Sequence, residues 1–380
     1  MKIGVVTFWH GKSNYGMMMQ CWALQTFLKQ IGHDPYVIRF AAKPHRTFIS
    51  KILRLIGLYD ILKTIQSKLN GVPTVNAKSN DKKRGFDEFL NSHITCSLHR
   101  YYTIQELRKN PPVADCYITG SDQVWAQILN NENNFAYFLD FGSSSVKRLA
   151  YAPSFSMKQY PEEYKNILKA KLKRFDAISC REYDGVNICK SLGFDAVKAL
   201  DPTLLLERDV YLELCKDVPV CRNRNAFIYS LNIANSEQIK WNELRQLIHK
   251  DELKAIVTPS DGYLRGAEIF GDDVEYKYST PQQWLASIRD AEFVVTPSFH
   301  GIVFAILLNK PFVYVPLSGS NSSGNNRVLD LLSDLNLNER VLADGSTYEG
   351  ILSRDICWAA VNERLVEQRG DSIDYLLKHL

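Results

Sequence analysis

The chain has 380 residues, of which 45% are hydrophobic and 23% charged. That is the composition of a folded, soluble protein with enough core for two domains of ordinary size. A net charge of +4 is too mild on this length for a nucleic-acid binder, and no stretch reaches the ~18 apolar residues needed to span a bilayer. The 8 cysteines are scattered without a CxxC pair, which excludes a zinc ribbon and a disulfide framework and reads as reduced thiols of a cytoplasmic protein.

The opening MKIGVVTFWHGKS reads as a strand and a loop, its apolar run too short and too interrupted for a secretory leader. A helix is predicted over MMMQCWALQTFLKQIGH, with Met18, Cys21, Trp22, Leu24 and Leu28 on its buried face and Gly32 at its stop. DPYVIRF follows as a strand, completing a β-loop-α-β unit. Residues 41–90 stand out as an insertion, a basic, apolar helix pair around FISKILRLIGLYDILKTIQSKL and then a polar linker, and the helix FDEFLNSHI comes next. Within it, residues 41–70 carry Lys43, Arg46, Lys51, Arg54, Lys63 and Lys68 against Asp60, a charge of +5 that leaves −1 for the remainder. Such an element either docks on an anionic membrane face, making the protein peripheral, or covers the first domain with a solvated basic face.

Strands are expected in ADCYITGSDQVW and KRLAYAPSFS, then a helix and strand in YKNILKAKLKRFDAISCRE, and a helix in YDGVNICKSLG. Asp201-Pro202 reads as a domain boundary. From about residue 224 a second series alternates: NAFIYSLN, SEQIKWNELRQLIHK, LKAIVTPSD, TPQQWLASIRDA and VVTPSFHGIVFAILLNKPFVYVP. The alternation predicts an α/β protein of two Rossmann-like domains facing each other across a cleft. The first would span 1–205 with the insertion at about 41–90, the second 206–350, and helices in 351–380 would pack back on the first.

The chain has no GxGxxG after its first strand, no GxxxxGK[ST], no HExxH and no GxSxG, so the corresponding enzyme classes lose their support. What remains are polar residues at predicted strand ends. His300, with Ser298 before it, falls where a buried strand meets the N-terminus of a buried helix, either as a site residue or as an inert capping histidine. Asn14, Tyr15 and Gly16 occupy the first strand-to-helix turn and could hold a sugar hydroxyl or form an ordinary turn with Asn14 as cap. Asp122, Gln123 and Trp125 together suit a carbohydrate, or divide between a helix cap and the core. Arg181 follows an apolar strand, either paired with an acid such as Glu182 or aimed at an anion. Arg327 opens a helix after the polar loop SGSNSSGNN, where a cation opposes the helix dipole and wants a counter-anion, a ligand or solvent.

Taken in order, SNYGMMMQCWALQTFLKQIGH, ITGSDQVW, AYAPSF, ISCREYDGVNICKSLG, ALDPTLLL, VVTPSFHGIVFAILLNKPFVYV and NNRVLDLL resemble the polysaccharide pyruvyl transferase family. The resemblance runs from residue 1 to about 337 and leaves out the basic insertion and the C-terminal tail. It implies a GT-B-like fold and transfer of the enolpyruvyl unit of phosphoenolpyruvate to a sugar, as a ketal bridging two hydroxyls. The acceptor would be a galactose-type or N-acetylhexosamine residue of a capsule or exopolysaccharide precursor, free or lipid-linked. It makes His300 the catalytic residue and Arg181, Arg327 and Ser298 the phosphoenolpyruvate contacts. Asn14, Tyr15, Gly16, Asp122, Gln123 and Trp125 are then assigned to the acceptor. No metal or cofactor is implied, phosphoenolpyruvate being a substrate, and no nucleic-acid partner. The chain departs from the Thr-x-Arg-x-His pattern of many members, keeping Thr296 but placing Ser298 at the arginine position. Two rivals stand beside this reading: a glycosyltransferase of the same fold class using a nucleotide sugar, and a non-catalytic carbohydrate-binding protein, which predicts that His300 and the two arginines are not clustered.

Overall fold

The computed structural model describes residues 1–11, 14–42, 84–233, 235–259 and 269–380. The basic element of 41–70, all but its first two residues, lies outside the described residues. The strands of the first half are β1 (Lys2–Val6), β2 (Asp34–Phe40), β3 (Cys96–Tyr101), β4 (Cys116–Thr119), β5 (Lys147–Ala150), β6 (Ala177–Cys180) and β7 (Val197–Lys198). They form one parallel sheet in the order β3-β2-β1-β4-β5-β6-β7. The second half adds β8 (Asn225–Ser230), β9 (Lys254–Pro259), β10 (Glu275–Tyr276), β11 (Phe293–Thr296) and β12 (Phe312–Tyr314). These make a second parallel sheet, β10-β9-β8-β11-β12. In each sheet the strand order reverses at its first strand, the topology of a doubly wound domain, and opens a crevice at the carboxyl ends of the strands.

Five helices matter for the site and its support: α1 (Tyr15–Gln30), α2 (Tyr183–Ser191), α3 (Pro281–Asp290), α4 (Phe299–Leu307) and α5 (Asn325–Asp334). A sixth, α6 (Trp358–His379), closes the chain. Central strands such as β4 and β11 are apolar and buried on both faces, as parallel strands covered by helices must be. Strand β3, CSLHRY, escapes the sequence reading because it is an edge strand: it lacks a continuous apolar run, and Leu98 is 99% exposed. Among the described residues no helix is long and apolar enough to cross a membrane.

The first two turns of α1 are buried all round, from Tyr15 through Gln20, because this end of the helix is wedged between its own sheet and α3 and α4 of the second domain. Tyr15 stacks on Trp284 with ring centroids 5.1 Å apart and 3° between planes, and its hydroxyl donates to the Ser279 carbonyl at 2.7 Å. Trp284 in turn meets Tyr229 and Phe304 edge-on. The polar rim of the contact is made by α5, whose Asp330 accepts from the Tyr183 amide at 3.0 Å and whose Asp334 pairs with Lys198. Helix α6 lies on the first domain. There the Tyr375 hydroxyl donates to the Ala150 carbonyl at 3.0 Å, Ser372 Oγ accepts from the Leu200 amide at 3.0 Å, and Arg369 Nε donates to the Leu204 carbonyl at 2.7 Å.

Trp284 is thus the aromatic keystone of the seam. Trp284→Ala is expected to cost about 3–5 kcal/mol of stability, read as a lowered midpoint in urea unfolding.

Candidate active site

The strand ends of both sheets converge on one buried carboxylate. Asp201 stands just after β7 and caps a short 3₁₀ turn, Pro202–Leu204. Its Oδ1 accepts from the Thr203 amide at 3.0 Å and the Thr203 hydroxyl at 2.7 Å. Its Oδ2 accepts from Ser121 Oγ at 2.8 Å and Arg181 Nη1 at 2.9 Å, and His300 Nε2 stands 3.5 Å away, at ion-pair distance. Burial alone would push this carboxyl up; the charges of His300 and Arg181, with the Thr203 hydroxyl, outweigh it and hold Asp201 far below the usual carboxylate range. Read from sequence as a boundary marker, Asp201 is also the residue that joins the site. The signal was of the same kind as for Arg181, a charged residue closely following a strand.

His300 is the second residue of α4 and nearly buried, at 7% exposure. Its position is fixed from both domains. Ser298 caps α4, Oγ accepting from the Gly301 amide at 3.3 Å, and its own amide donates to Thr296 Oγ1 at 3.0 Å. Across the seam, α1 presents Gly16, where a Cβ would lie 2.1 Å from His300 Nδ1. Only a residue without a side chain lets the two helices approach this closely.

The two arginines come from different domains and share one aromatic ring. Arg181 Cζ lies 4.7 Å from the centroid of Phe299 and Arg327 Cζ lies 5.9 Å from it. Arg181 is 4% exposed, and its Nε and Nη2 have no hydrogen-bond partner among the described residues. Arg327 Nε donates to the Gly324 carbonyl at 3.2 Å. With the Gln123 amide oxygen turned toward the guanidinium, Gln123 accepts from Arg327 Nη1 at 2.7 Å and Nη2 at 2.8 Å, and from Ser156 Oγ at 3.0 Å. Burial and then the charge of Arg181 push Arg327 down to about 10, against the opposing pull of Asp122 and Glu182. Two cations crowded together with donors to spare make a receptor for an anion with several oxygens.

The backbone around this pocket is strained. Asp122 has φ 80° and ψ −179°, a region open to glycine but costing other residues ~1–3 kcal/mol. Ala152 and Ser156 are left-handed as well, at φ 52° and 50°. The strained turns are tied together: the Ser154 amide donates to the Asp122 carbonyl at 2.9 Å, and Asp122 Oδ1 accepts from the Gln123 amide at 2.8 Å.

The residues read from sequence divide accordingly. His300, Arg181, Arg327, Asp122 and Gln123 come together, with Gly16 packed against His300. Trp125 must be corrected: it is fully buried, donates from Nε1 to the Tyr137 carbonyl at 2.9 Å and stacks on Phe138, so it offers no ring face to a sugar. Tyr15 is corrected for the same reason, its ring and hydroxyl being engaged at the domain seam. Asn14 caps α1 by accepting from the Met17 amide at 3.0 Å. The acid paired with Arg181 is Asp201 and not Glu182. Among the described residues no group of three His, Cys, Asp or Glu side chains is placed to hold a metal ion.

A family model described as polysaccharide pyruvyl transferase matches residues 14–319. The chain belongs to the polysaccharide pyruvyl transferase family. The match contains Gln123, Arg181, Asp201 and His300, and Arg327 follows just beyond its end. No curated protein matches the chain. Among solved structures it is similar to the UDP-GlcNAc 2-epimerase from Neisseria meningitidis, at 11% identity over 100% of each chain with a TM-score of 0.49. A second is the UDP-N-acetylglucosamine 2-epimerase from Rickettsia bellii, at 10% identity over 99% of this chain and 98% of that one, TM-score 0.49. A third is the E. coli heptosyltransferase WaaC, at 12% identity over 97% of this chain and 100% of that one, TM-score 0.40. The arrangement of this pyruvyl transferase family member, two parallel α/β domains facing each other, is GT-B-like.

Two outcomes follow for this transferase. Asp201→Asn leaves Arg181 buried without its counter-charge and is expected to destabilise by about 3–5 kcal/mol in urea unfolding. Because the folded carboxyl titrates below its ordinary value of 3.8, the gap between wild type and variant should be full above that pH and narrow as the pH falls beneath it. Gly16→Ala forces the imidazole of His300 aside and should lower turnover by about 10²-fold while far-ultraviolet circular dichroism stays unchanged.

Proposed function

We propose that this protein transfers the enolpyruvyl unit of phosphoenolpyruvate to a sugar of a surface-polysaccharide precursor, closing a ketal across two hydroxyls and releasing phosphate. The observation that carries the reading is the pair of guanidinium groups on Phe299, delivered by separate domains and retaining unpartnered donors on Arg181. Phosphoenolpyruvate, with a carboxylate and a phosphate, carries about three negative charges and matches bidentate guanidinium recognition.

In the reaction one acceptor hydroxyl oxygen bonds to C2, C3 takes a proton, the bond from C2 to the phosphate oxygen breaks, and the second hydroxyl oxygen closes the ketal. Of the two hydroxyl protons, one is balanced by the new methyl group and the other leaves with phosphate. His300 is the side chain suited to carry protons between these stages near neutral pH. Asp201 lies at ion-pair distance and balances positive charge that forms on the ring. A non-catalytic sugar binder has no use for this cluster of histidine, carboxylate and paired arginines.

The test is phosphate release from phosphoenolpyruvate in the presence of candidate sugar acceptors. Release should require the acceptor, and His300→Gln should reduce it by at least ~10²-fold with phosphoenolpyruvate binding retained. Arg327→Ala should raise the requirement for phosphoenolpyruvate, and not for acceptor, by about 1.5–3 kcal/mol, the scale of a lost charge-assisted hydrogen bond. Release of a nucleoside diphosphate from a nucleotide sugar, with no phosphate released from phosphoenolpyruvate, would move the protein to glycosyl transfer.

A further inference from the structure

Glu182 follows Arg181 at the end of β6 and is 1% exposed. It stands at the cap position of α2, yet its side chain makes no capping bond. Instead Oε1 reaches back and accepts from the amides of Phe155 at 2.8 Å and Ser156 at 3.2 Å, pinning the loop bent by left-handed Ala152 and Ser156. That loop also supplies the Ser156 hydroxyl to Gln123, the residue that holds Arg327. The other oxygen, Oε2, is buried and has no hydrogen-bond partner among the described residues. The groups that act on the carboxyl are the guanidinium of Arg181, that of Arg327 from α5, and the hydroxyl of Ser154; the neighbouring thiol of Cys180 feels its charge in return. Burial is the largest influence, and it raises this carboxyl above its ordinary value although both arginines oppose it.

A bare carboxylate oxygen in a dry pocket is tolerable while Arg327 has no ion-pair partner among the described residues and Arg181, bound to Asp201 through Nη1, keeps Nε and Nη2 free. An anion that binds those arginines removes the support, and it brings acceptor oxygens toward a group that can only accept. We propose that Glu182 takes up a proton when an anion fills the arginine pocket. The proton comes from solvent and bonds to Oε2, converting that oxygen from an acceptor to a donor; no other bond forms or breaks. This rests on the reading of Arg181 and Arg327 as the anion site, but not on which anion is the natural one. Linkage then requires anion binding to tighten as pH falls toward the titration of this carboxyl.

Sulfate is the probe, because it carries two negative charges and does not titrate near neutrality. Calorimetry at about pH 6 in two buffers of different ionisation enthalpy counts the protons exchanged on binding. About 0.3–1 proton should be taken up per sulfate by wild type and equally by His300→Gln, and almost none by Glu182→Gln with sulfate still bound. The glutamine keeps an oxygen for the Phe155 and Ser156 amides, and thermal melting checks its fold. If it melts early, the slope of wild-type sulfate affinity against pH carries the same test, negative for uptake and flat otherwise. No uptake in wild type, uptake that survives in Glu182→Gln, uptake lost in His300→Gln, or no sulfate binding at all would each overturn the proposal. Phosphoenolpyruvate turnover without uptake on sulfate binding sinks the inference and leaves the transferase reading standing. Uptake without turnover does the reverse.

Discussion

A carboxylate with no access to water is held by the donors that answer its lone pairs, and the architecture around Asp201 supplies them to both oxygens. Thr203 serves one oxygen, Ser121 and Arg181 the other, and His300 stands at ion-pair distance. These groups come from the ends of β4, β6 and β7 in the first sheet and from α4 in the second domain. Because the charge is buried, none of them can drift without exposing an unpaired ion, which is far costlier than the loss of a surface pair. The histidine and one arginine of the site therefore gather on the same carboxylate, at a point where the two domains meet.

The seam around this anchor is packed in two ways. On its apolar side, Tyr15 and Trp284 fill space with stacked rings. Beside the polar cluster the packing is made by subtraction, Gly16 leaving room for the imidazole. The result is a histidine whose orientation is set by a helix of one domain and whose helix belongs to the other. Arg327 shows the same division, carried by α5 but gripped by Gln123 of the first domain. Each of these side chains needs both domains to define its place.

Much of this was legible in the residues. Two-sided apolar strands alternating with helices gave away both sheets, and Arg181, His300 and Gln123 stood out because polar residues at the ends of such strands face the crevice. The edge strand β3 did not, since a strand covered on fewer sides carries no continuous apolar run. Trp125 was misleading for the opposite reason: a polar turn precedes it, and nothing local reveals that Phe138, Phe155 and Phe175 enclose its ring. Asp201 looked like punctuation before a proline because its partners Ser121, Arg181 and His300 are far away along the chain, and only the topology of the sheets brings them to it.

The path of the chain through the molecule constrains how it can move. It leaves the first domain between Leu214 and Asn225, builds the second sheet, and returns between Leu352 and Trp358 so that α6 can lie against β5 and the segments after β7. The second domain is therefore tethered at two points rather than one. A single tether leaves a domain free to swivel in any direction, whereas two tethers define an axle. Two crossings restrain twisting and separation more than rocking about the line that joins them, and Arg181 and Arg327 stand on opposite sides of that seam.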